Sequence, residues 1–444
     1  MQISQDTRAL LCCLDMRGDD IALARLRRLG GLDWTGIVRQ AARRGLAPLL
    51  YQRLRTLSSR ISIPDAALRA LRTRYLRNAT RNALVYRQLS ALVRTLQEGS
   101  IQVALLKGAH LAAFVYGNVA LRPMADVDVL VRRTDVQGAG EALLGAGYTP
   151  HPSNAWWRKN GYYHVGYVPP AGGVNVELHW DIDRWPAGDH GQAEGLWQRA
   201  EAIRLDGVDA LSLSAEDLLL HVCLHTCSQH LLMNGLLGLC DVSAIVEHHG
   251  AELQWGEVGR RAGQWAVGKP VQLTLRLARE LLGAPVPERA LGMLEPDGLE
   301  AQAAAWAKEI LLADTMSMPR TLFRLRRAKR PRDRAIILFR GAFPSVDAVA
   351  AARAMRRNSP WIYPYYVVRL LLVLGRSAAP MWGMLRGDEA LRALLDDKTA
   401  LRGWLEEPQG SRSPVGEESL SAGGARTAHP EYADNGGVDA VGKS

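Results

Sequence analysis

The chain has 444 residues, of which 48% are hydrophobic and 23% charged, with a formal net charge of +10. That length allows two or three domains with an ample core, and the hydrophobic fraction is ordinary for a soluble protein. Five cysteines at irregular positions exclude a disulfide framework and fit a reducing cytoplasm.

The start, Met1-Gln-Ile-Ser-Gln-Asp6, lacks a basic region and a long apolar run, so no signal peptide is expected. The longest late apolar stretch, Trp361 to Leu374, is broken by Pro364 and Arg369 and is too short to span a bilayer. The expected location is the cytoplasm, with peripheral contact with an inner membrane as an option for the basic regions. The charge is uneven. Residues 1–98 hold 18 Arg, no Lys and seven Asp or Glu, and a second basic block runs from Arg320 to Arg376. Such blocks suit an anionic partner: RNA, an acidic peptide or an acidic membrane surface. Arg outnumbers Lys 48 to 7 along the whole chain, which equally suits arginine as a general surface cation.

In chain order, residues 1–98 read as an Arg-rich helical region. Leu23, Leu26 and Leu29, then Leu68, Leu71, Tyr75 and Leu76, recur at helical spacing, and Pro48 and Pro64 mark helix starts. Residues 99–182 read as an α/β core. Ile101-Gln-Val-Ala-Leu-Leu-Lys-Gly108 is a short buried strand ending in a turn, followed by a short helix from Ala109 to Tyr116. Gly108 allows close backbone approach to a phosphate, Lys107 adds a point charge, and a helix start after a glycine turn suits an anion.

Asp126-Val127-Asp128 then runs into Val-Leu-Val131. Residues i and i+2 of a strand share a face, so both carboxylates aim at one spot while Val127 and Val129 face the core. Their repulsion is tolerable with a cation between them, and Mg²⁺, or Mn²⁺ in its place, suits oxygen ligands. Arg122, four residues earlier, is placed to meet a phosphate or to pair with Asp126. Thr134 to Leu144 reads as a helix ended by Gly145 and Gly147. Trp156, Trp157, Tyr162, Tyr163 and Tyr167 form either a hairpin wall for a base or sugar or an ordinary hairpin core. In Gly173-Val-Asn-Val-Glu-Leu-His-Trp180, alternation puts Asn175, Glu177 and His179 on one face, and Glu177 is the third acid. The plainer readings are a solvated strand entrance at Asp126, a surface pair of Glu177 with Arg184, and a structural His179.

The order strand, Lys-Gly turn, helix, Asp-x-Asp strand and Glu strand resembles the polymerase-β nucleotidyltransferase superfamily. Lys107-Gly108 stands where Gly-Ser is usual there. With Arg122, Gly145-Ala-Gly-Tyr148, Val176-Glu-Leu-His-Trp180, Ser214–His225 and Leu239-Cys-Asp-Val242, the pattern is similar to one bacterial branch. That branch consists of uncharacterised nucleotidyltransferases accompanying natural-product, lasso-peptide or exopolysaccharide gene sets, and the resemblance spans roughly residues 30–290. It implies an α+β fold: a small mixed β-sheet core flanked by N- and C-terminal helical regions. It also implies an NTP substrate and transfer of a nucleoside monophosphate to an unknown hydroxyl or phosphate acceptor, a small molecule or peptide in a biosynthetic pathway. Asp126, Asp128 and Glu177 would be the catalytic metal ligands, with Lys107, Gly108 and Arg122 on the nucleotide. Modification of a protein or RNA, and a catalytically silent accessory, are the alternatives.

Residues 190–310 read as helical and packed on the core. His221 and His225 share a helix face, but the intervening Val-Cys-Leu lacks the acid of a zinc protease helix, so this is expected to be a packed helix. His225 or His230 could line the cleft, and Asp241 suits a cap or ion-pair partner. Residues 311–405 read as basic and helical, and residues 406–444, poor in apolar side chains, as a disordered tail.

Overall fold

In the computed structural model, residues 3–159, 161–170, 173–182, 191–229, 231–232, 235–294, 300–313, 359–369 and 389–407 are described, with isolated positions between 330 and 349. Arg184, His230, residues 408–444 of the expected tail and most of the second basic block lie outside the described residues.

The fold is α+β, with a mixed seven-stranded sheet of order β3-β4-β5-β2-β1-β7-β6. Its strands are β1 (Ala104–Leu105), β2 (Asp126–Leu130), β3 (Thr149–Pro150), β4 (His164–Val168), β5 (Asn175–His179), β6 (Glu201–Leu205) and β7 (Val208–Ser212). β2 runs parallel to β5, with Asp128 opposite Glu177, while β4 pairs antiparallel with β5, with His164 opposite His179. The β6–β7 hairpin falls in the stretch expected to be helical. Its turn, Asp206-Gly207, has both residues at positive φ (47° and 81°). That is the two-residue turn whose twist matches the flanking strands.

Four short helices, α1 (Gln5–Cys13), α2 (Asp19–Arg28), α3 (Trp34–Arg43) and α4 (Ala47–Leu57), precede the 34-residue α5 (Asp65–Glu98). Pro48 sits in the first turn of α4 and Pro64 at the N-cap of α5, where a missing N–H costs nothing. α6 (Lys107–His110) passes directly into a π-helical turn, Leu111–Val115, and α7 (Val136–Gly145) ends at the turn around Gly147. After β5 come α8's sequel helices: α9 (Gly191–Gln198), α10 (Ala215–Leu224), α11 (Leu236–His249), α12 (Trp255–Gln264) and α13 (Gly268–Leu282), α8 itself (Asn154–Lys159) preceding β4. Among the described residues, no helix is long and apolar enough to cross a membrane.

The two faces of the sheet have opposite fates. Val127, Val129, Val176 and Leu178 are fully buried against Leu89, Val93 and Leu96 of α5 and Ala139 and Leu143 of α7. Leu130, on the same side of β2 as Asp126 and Asp128, joins the second core, which holds α10, α11 and α13. Each fully buried aliphatic side chain contributes about 1.5–3 kcal/mol. Moving either strand by one residue would exchange valines for carboxylates, so the register is pinned.

Asp15, whose side chain is fully buried, fixes the turn between α1 and α2 that meets α13. It accepts from Arg17 Nε (2.9 Å) and Nη2 (2.7 Å) and from Arg25, while the neighbouring Met16 N–H donates to the Leu282 carbonyl at 2.8 Å. Burial opposes the charge on Asp15, but both guanidiniums outweigh it and hold its pKa below the usual carboxylate value. Asp15→Asn should therefore cost about 1.5–3 kcal/mol of stability. Because the folded pKa is depressed, the contribution is full above the unfolded value of about 3.9 and is lost as pH falls through the folded value. Thermal melts of both proteins should differ by a constant amount between about pH 5 and 8 and converge in strong acid; a gap that narrows near neutrality would contradict this.

Candidate active site

The site is a patch on the sheet face opposite α5 and α7. Asp126 and Asp128 project from β2, Glu177 and His179 from β5, and His164 from β4, with Asp128 in register with Glu177 and His164 with His179. Lys107 reaches this patch from the end of β1. Leu106 donates its N–H to the Asp128 carbonyl at 3.1 Å, and Lys107 then adopts φ +44°, a conformation disfavoured for a side-chain-bearing residue. The turn delivers Lys107 Nζ to 2.8 Å from Asp128 Oδ1.

Asp128 also receives His179 Nε2 at 2.9 Å, and the same nitrogen lies 3.3 Å from Glu177 Oε2. One imidazole thus spans two carboxylates. His164 Nε2 stands 3.9 Å from Glu177 Oε2. Asp126 is half-buried, and no ion pair reaches it among the described residues.

The electrostatics follow from this unequal distribution of cations. Burial works against ionised Asp128, but Lys107 and His179 outweigh it and keep its carboxyl well below the usual range. Glu177 is likewise lowered, burial being overcome above all by the His179 hydrogen bond. Burial and Lys107 disfavour a charged His179, yet its hydrogen bonds to Asp128 and Glu177 raise its pKa. Burial, then the charges of Asp128 and Glu177, push Asp126 up to about 7. Burial takes His164 down to about 3, so that imidazole is neutral. Three carboxylates face one ammonium and one shared imidazole, and Asp126 is the acid left without a cation. An all-oxygen donor set with this excess of negative charge fits a hard divalent cation.

The structure pairs Arg122 with Asp241 and not with Asp126. Its guanidinium donates to Asp241 Oδ2 from Nη2 (3.0 Å) and Nε (3.3 Å), and Tyr116 Oη donates to Asp241 Oδ1 at 2.9 Å. Asp241 lies on α11, so Arg122 links the β1–β2 connection to the helical core, not to Asp126. Gly108 serves this link: a Cβ there would overlap Arg122 Nη1 and lie 3.0 Å from Met124 Cγ. α5 braces the same connection from behind, with Asn78 donating to Ala120 O (2.7 Å), Asn82 to Arg122 O (2.9 Å) and Tyr86 to Ala109 O (2.8 Å).

The aromatic residues before β5 divide between the faces. Trp157, Tyr162 and Tyr163 stand edge-on to His164, with ring centres 4.7, 5.4 and 5.9 Å away. Tyr167 reaches Gly140 of α7 on the other face. His221 is fully buried behind the site, its ring 6.4 Å from that of His225. Cys223 and Cys227 are buried free thiols, as in a packed helix. Among the described residues, one group of three has ligand atoms within 4.8 Å of one another: His164, Glu177 and His179. His164 is the site residue that the sequence pattern does not reveal. Only the antiparallel pairing of β4 with β5 puts it there.

A family model described as "Uncharacterised nucleotidyltransferase" matches residues 30–283, more than half of the chain. No curated protein and no solved structure matches.

The Gly108–Arg122 contact can be tested on its own. Gly108→Ala should lower stability by about 1–3 kcal/mol, as overpacking does, because the buried guanidinium must leave Asp241. In an Arg122→Ala background the same substitution should cost clearly less. Additive losses in a denaturant double-mutant cycle would rule out the contact as the reason for glycine.

Proposed function

The chain belongs to the uncharacterised nucleotidyltransferase family, and from that membership we propose that it moves a nucleoside monophosphate from an NTP to a hydroxyl or phosphate acceptor. We read it as a bacterial member of the polymerase-β superfamily acting on a small molecule or peptide in a biosynthetic pathway. The observation that carries the reading is the triad of Asp126, Asp128 and Glu177 on one face of two parallel, in-register strands, with Lys107 held beside Asp128.

The acceptor oxygen forms a bond to the α-phosphorus of the NTP. The bond from that phosphorus to the bridging oxygen breaks, and pyrophosphate leaves. Asp126, Asp128 and Glu177 would hold Mg²⁺ or Mn²⁺, which when bound neutralises the triphosphate and the charge developing during transfer. Lys107, anchored on Asp128, sets a fixed positive charge at the patch. Gly108 keeps the adjoining turn free of a side chain, and Arg122 acts as a positioning residue through Asp241. Glu177 would help activate the acceptor hydroxyl, whose proton is released to solvent, and His179, bonded to Glu177 through Nε2, fixes how its oxygens point. Asp126 without an ion pair argues against a silent accessory, in which a structural partner for that carboxylate would be expected.

A second reading has one observation in its favour. Arg72, Arg74, Arg77, Arg81, Arg87 and Arg94 are exposed along α5, and no ion pair reaches them among the described residues. Spacing along the helix splits them between two faces, Arg72, Arg87 and Arg94 on one and Arg74, Arg77 and Arg81 on another; a phosphate-rich acceptor such as RNA would meet one face at a time.

Incubation with each α-labelled NTP, Mg²⁺ and host extract should move label to an acceptor. Asp126→Asn and Asp128→Asn should each cut the transfer rate at least about 10²-fold, with folding checked by thermal melts. The size of the labelled product separates a small molecule from a macromolecule. Full transfer by either variant would remove the triad from the chemistry.

A further inference from the structure

The nucleotidyltransferase reading uses Glu177 and leaves His164 without a task. His164 is nine-tenths buried as a side chain, yet neither ring nitrogen makes a hydrogen bond among the described residues, and its Nδ1 is fully enclosed. Burying an imidazole without partners is costly. The backbone register explains where it points: His164 is opposite His179, and Gly166, two residues on, is opposite Glu177. Both histidines therefore share the face of Glu177. The absent side chain at Gly166 leaves room for Trp157, whose indole would lie 2.7 Å from a Cβ there and which also stands edge-on to His164.

We propose that His164, Glu177 and His179 form a mixed nitrogen–oxygen cation position beside the all-oxygen Asp126–Asp128 pair, suited to a divalent transition ion such as Zn²⁺ or Co²⁺ and not to Mg²⁺. The proposal deepens the reading of the same site, because it makes the two cation positions chemically different and has them share Glu177. Tetrahedral bonds of about 2 Å hold ligand atoms roughly 3.3 Å apart. His179 Nε2 and Glu177 Oε2 are already 3.3 Å apart, and His164 Nε2 is 3.9 Å from the same oxygen. All three ligand atoms lie within 4.8 Å of one another, so a small rotation of the His164 ring closes the set. Imidazole favours Zn²⁺ and its neighbours over Mg²⁺, which keeps to oxygen and holds its waters. Trp157, Tyr162 and Tyr163 pack edge-on around the ring and limit it to such small rotations. The plainer alternative is that His179 merely bridges two acids, but that account leaves His164 unexplained.

Co²⁺ is the probe, titrated into the full metal-stripped chain with and without excess Mg²⁺ while visible ligand-field absorption and calorimetric stoichiometry are read. The expected result is one Co²⁺ site whose spectrum survives excess Mg²⁺ and survives Asp126→Asn. His164→Ala and the bulkier His164→Gln should each weaken it at least about 10-fold. Displacement of Co²⁺ by Mg²⁺, or wild-type Co²⁺ affinity in both folded His164 variants, would overturn the proposal. Mg²⁺-dependent NTP binding, measured on the same samples, keeps the two readings apart. NTP binding without a Co²⁺ site removes the nitrogen position and leaves nucleotidyl transfer standing. A Co²⁺ site without NTP binding does the reverse.

Discussion

Three carboxylates on one enclosed sheet face form the constraint around which the rest of this molecule is arranged. Ionised acids at strand-neighbour spacing repel and lose hydration, and each must find a cation, share a proton or neutralise. The protein answers them unequally. Asp128 takes both Lys107 and a hydrogen bond from His179, Glu177 shares that imidazole, and Asp126 takes neither. An architecture concerned only with stability would have matched every acid or replaced it with an apolar residue. The mismatch leaves a position of high negative potential at one known place.

Keeping the mismatch requires rigid surroundings. The valines that alternate with the acids are locked against α5 and α7, so the acids cannot escape by a register slip. Lys107 reaches Asp128 only through a backbone conformation that a lysine does not favour, and conformations of that kind persist where neighbouring structure enforces them. Enforcement comes from both sides of the connection. α5 holds the carbonyls of Ala109, Ala120 and Arg122, and Asp241 on α11 holds the Arg122 side chain. The π-helical turn at Leu111–Val115 follows immediately, a local widening of the kind that often accompanies functional sites.

What the sequence made legible was whatever depended on neighbours close along the chain. Strand period two put Asp126 with Asp128 and Glu177 with His179, and Pro48 and Pro64 marked real helix starts. The Arg122–Asp241 pair is not legible because the two residues lie 119 positions apart, and an arginine four residues before an acid offers the nearer pairing as a decoy. His164 gave no local signal at all. It sits among tyrosines and tryptophans whose spacing suits a hairpin core, and only the pairing of β4 with β5 turns it toward the acids. The β6–β7 hairpin was a different sort of miss. Asp206-Gly207 between two alternating runs is a hairpin signal in its own right, set inside a stretch whose overall pattern reads as helical.

The lysine of the Lys-Gly turn also has a physical consequence for the site. A turn that offers only backbone N–H groups and a hydroxyl meets a phosphate with neutral dipoles and leaves the acids beside it uncompensated. Lys107 instead places a full charge within the acid cluster itself, and burial makes that charge strong because little water screens it. Burial disfavours the ammonium, yet Asp128, Glu177 and Asp126 together hold its pKa above the ordinary value. The lysine and the acids therefore depend on each other: removing Lys107 would leave Asp128 with His179 alone, and removing Asp128 would leave a buried ammonium facing only more distant acids. Such a pair resists substitution of either member alone, so a drift from lysine to a small hydroxyl residue would need the acids' other cations to change with it.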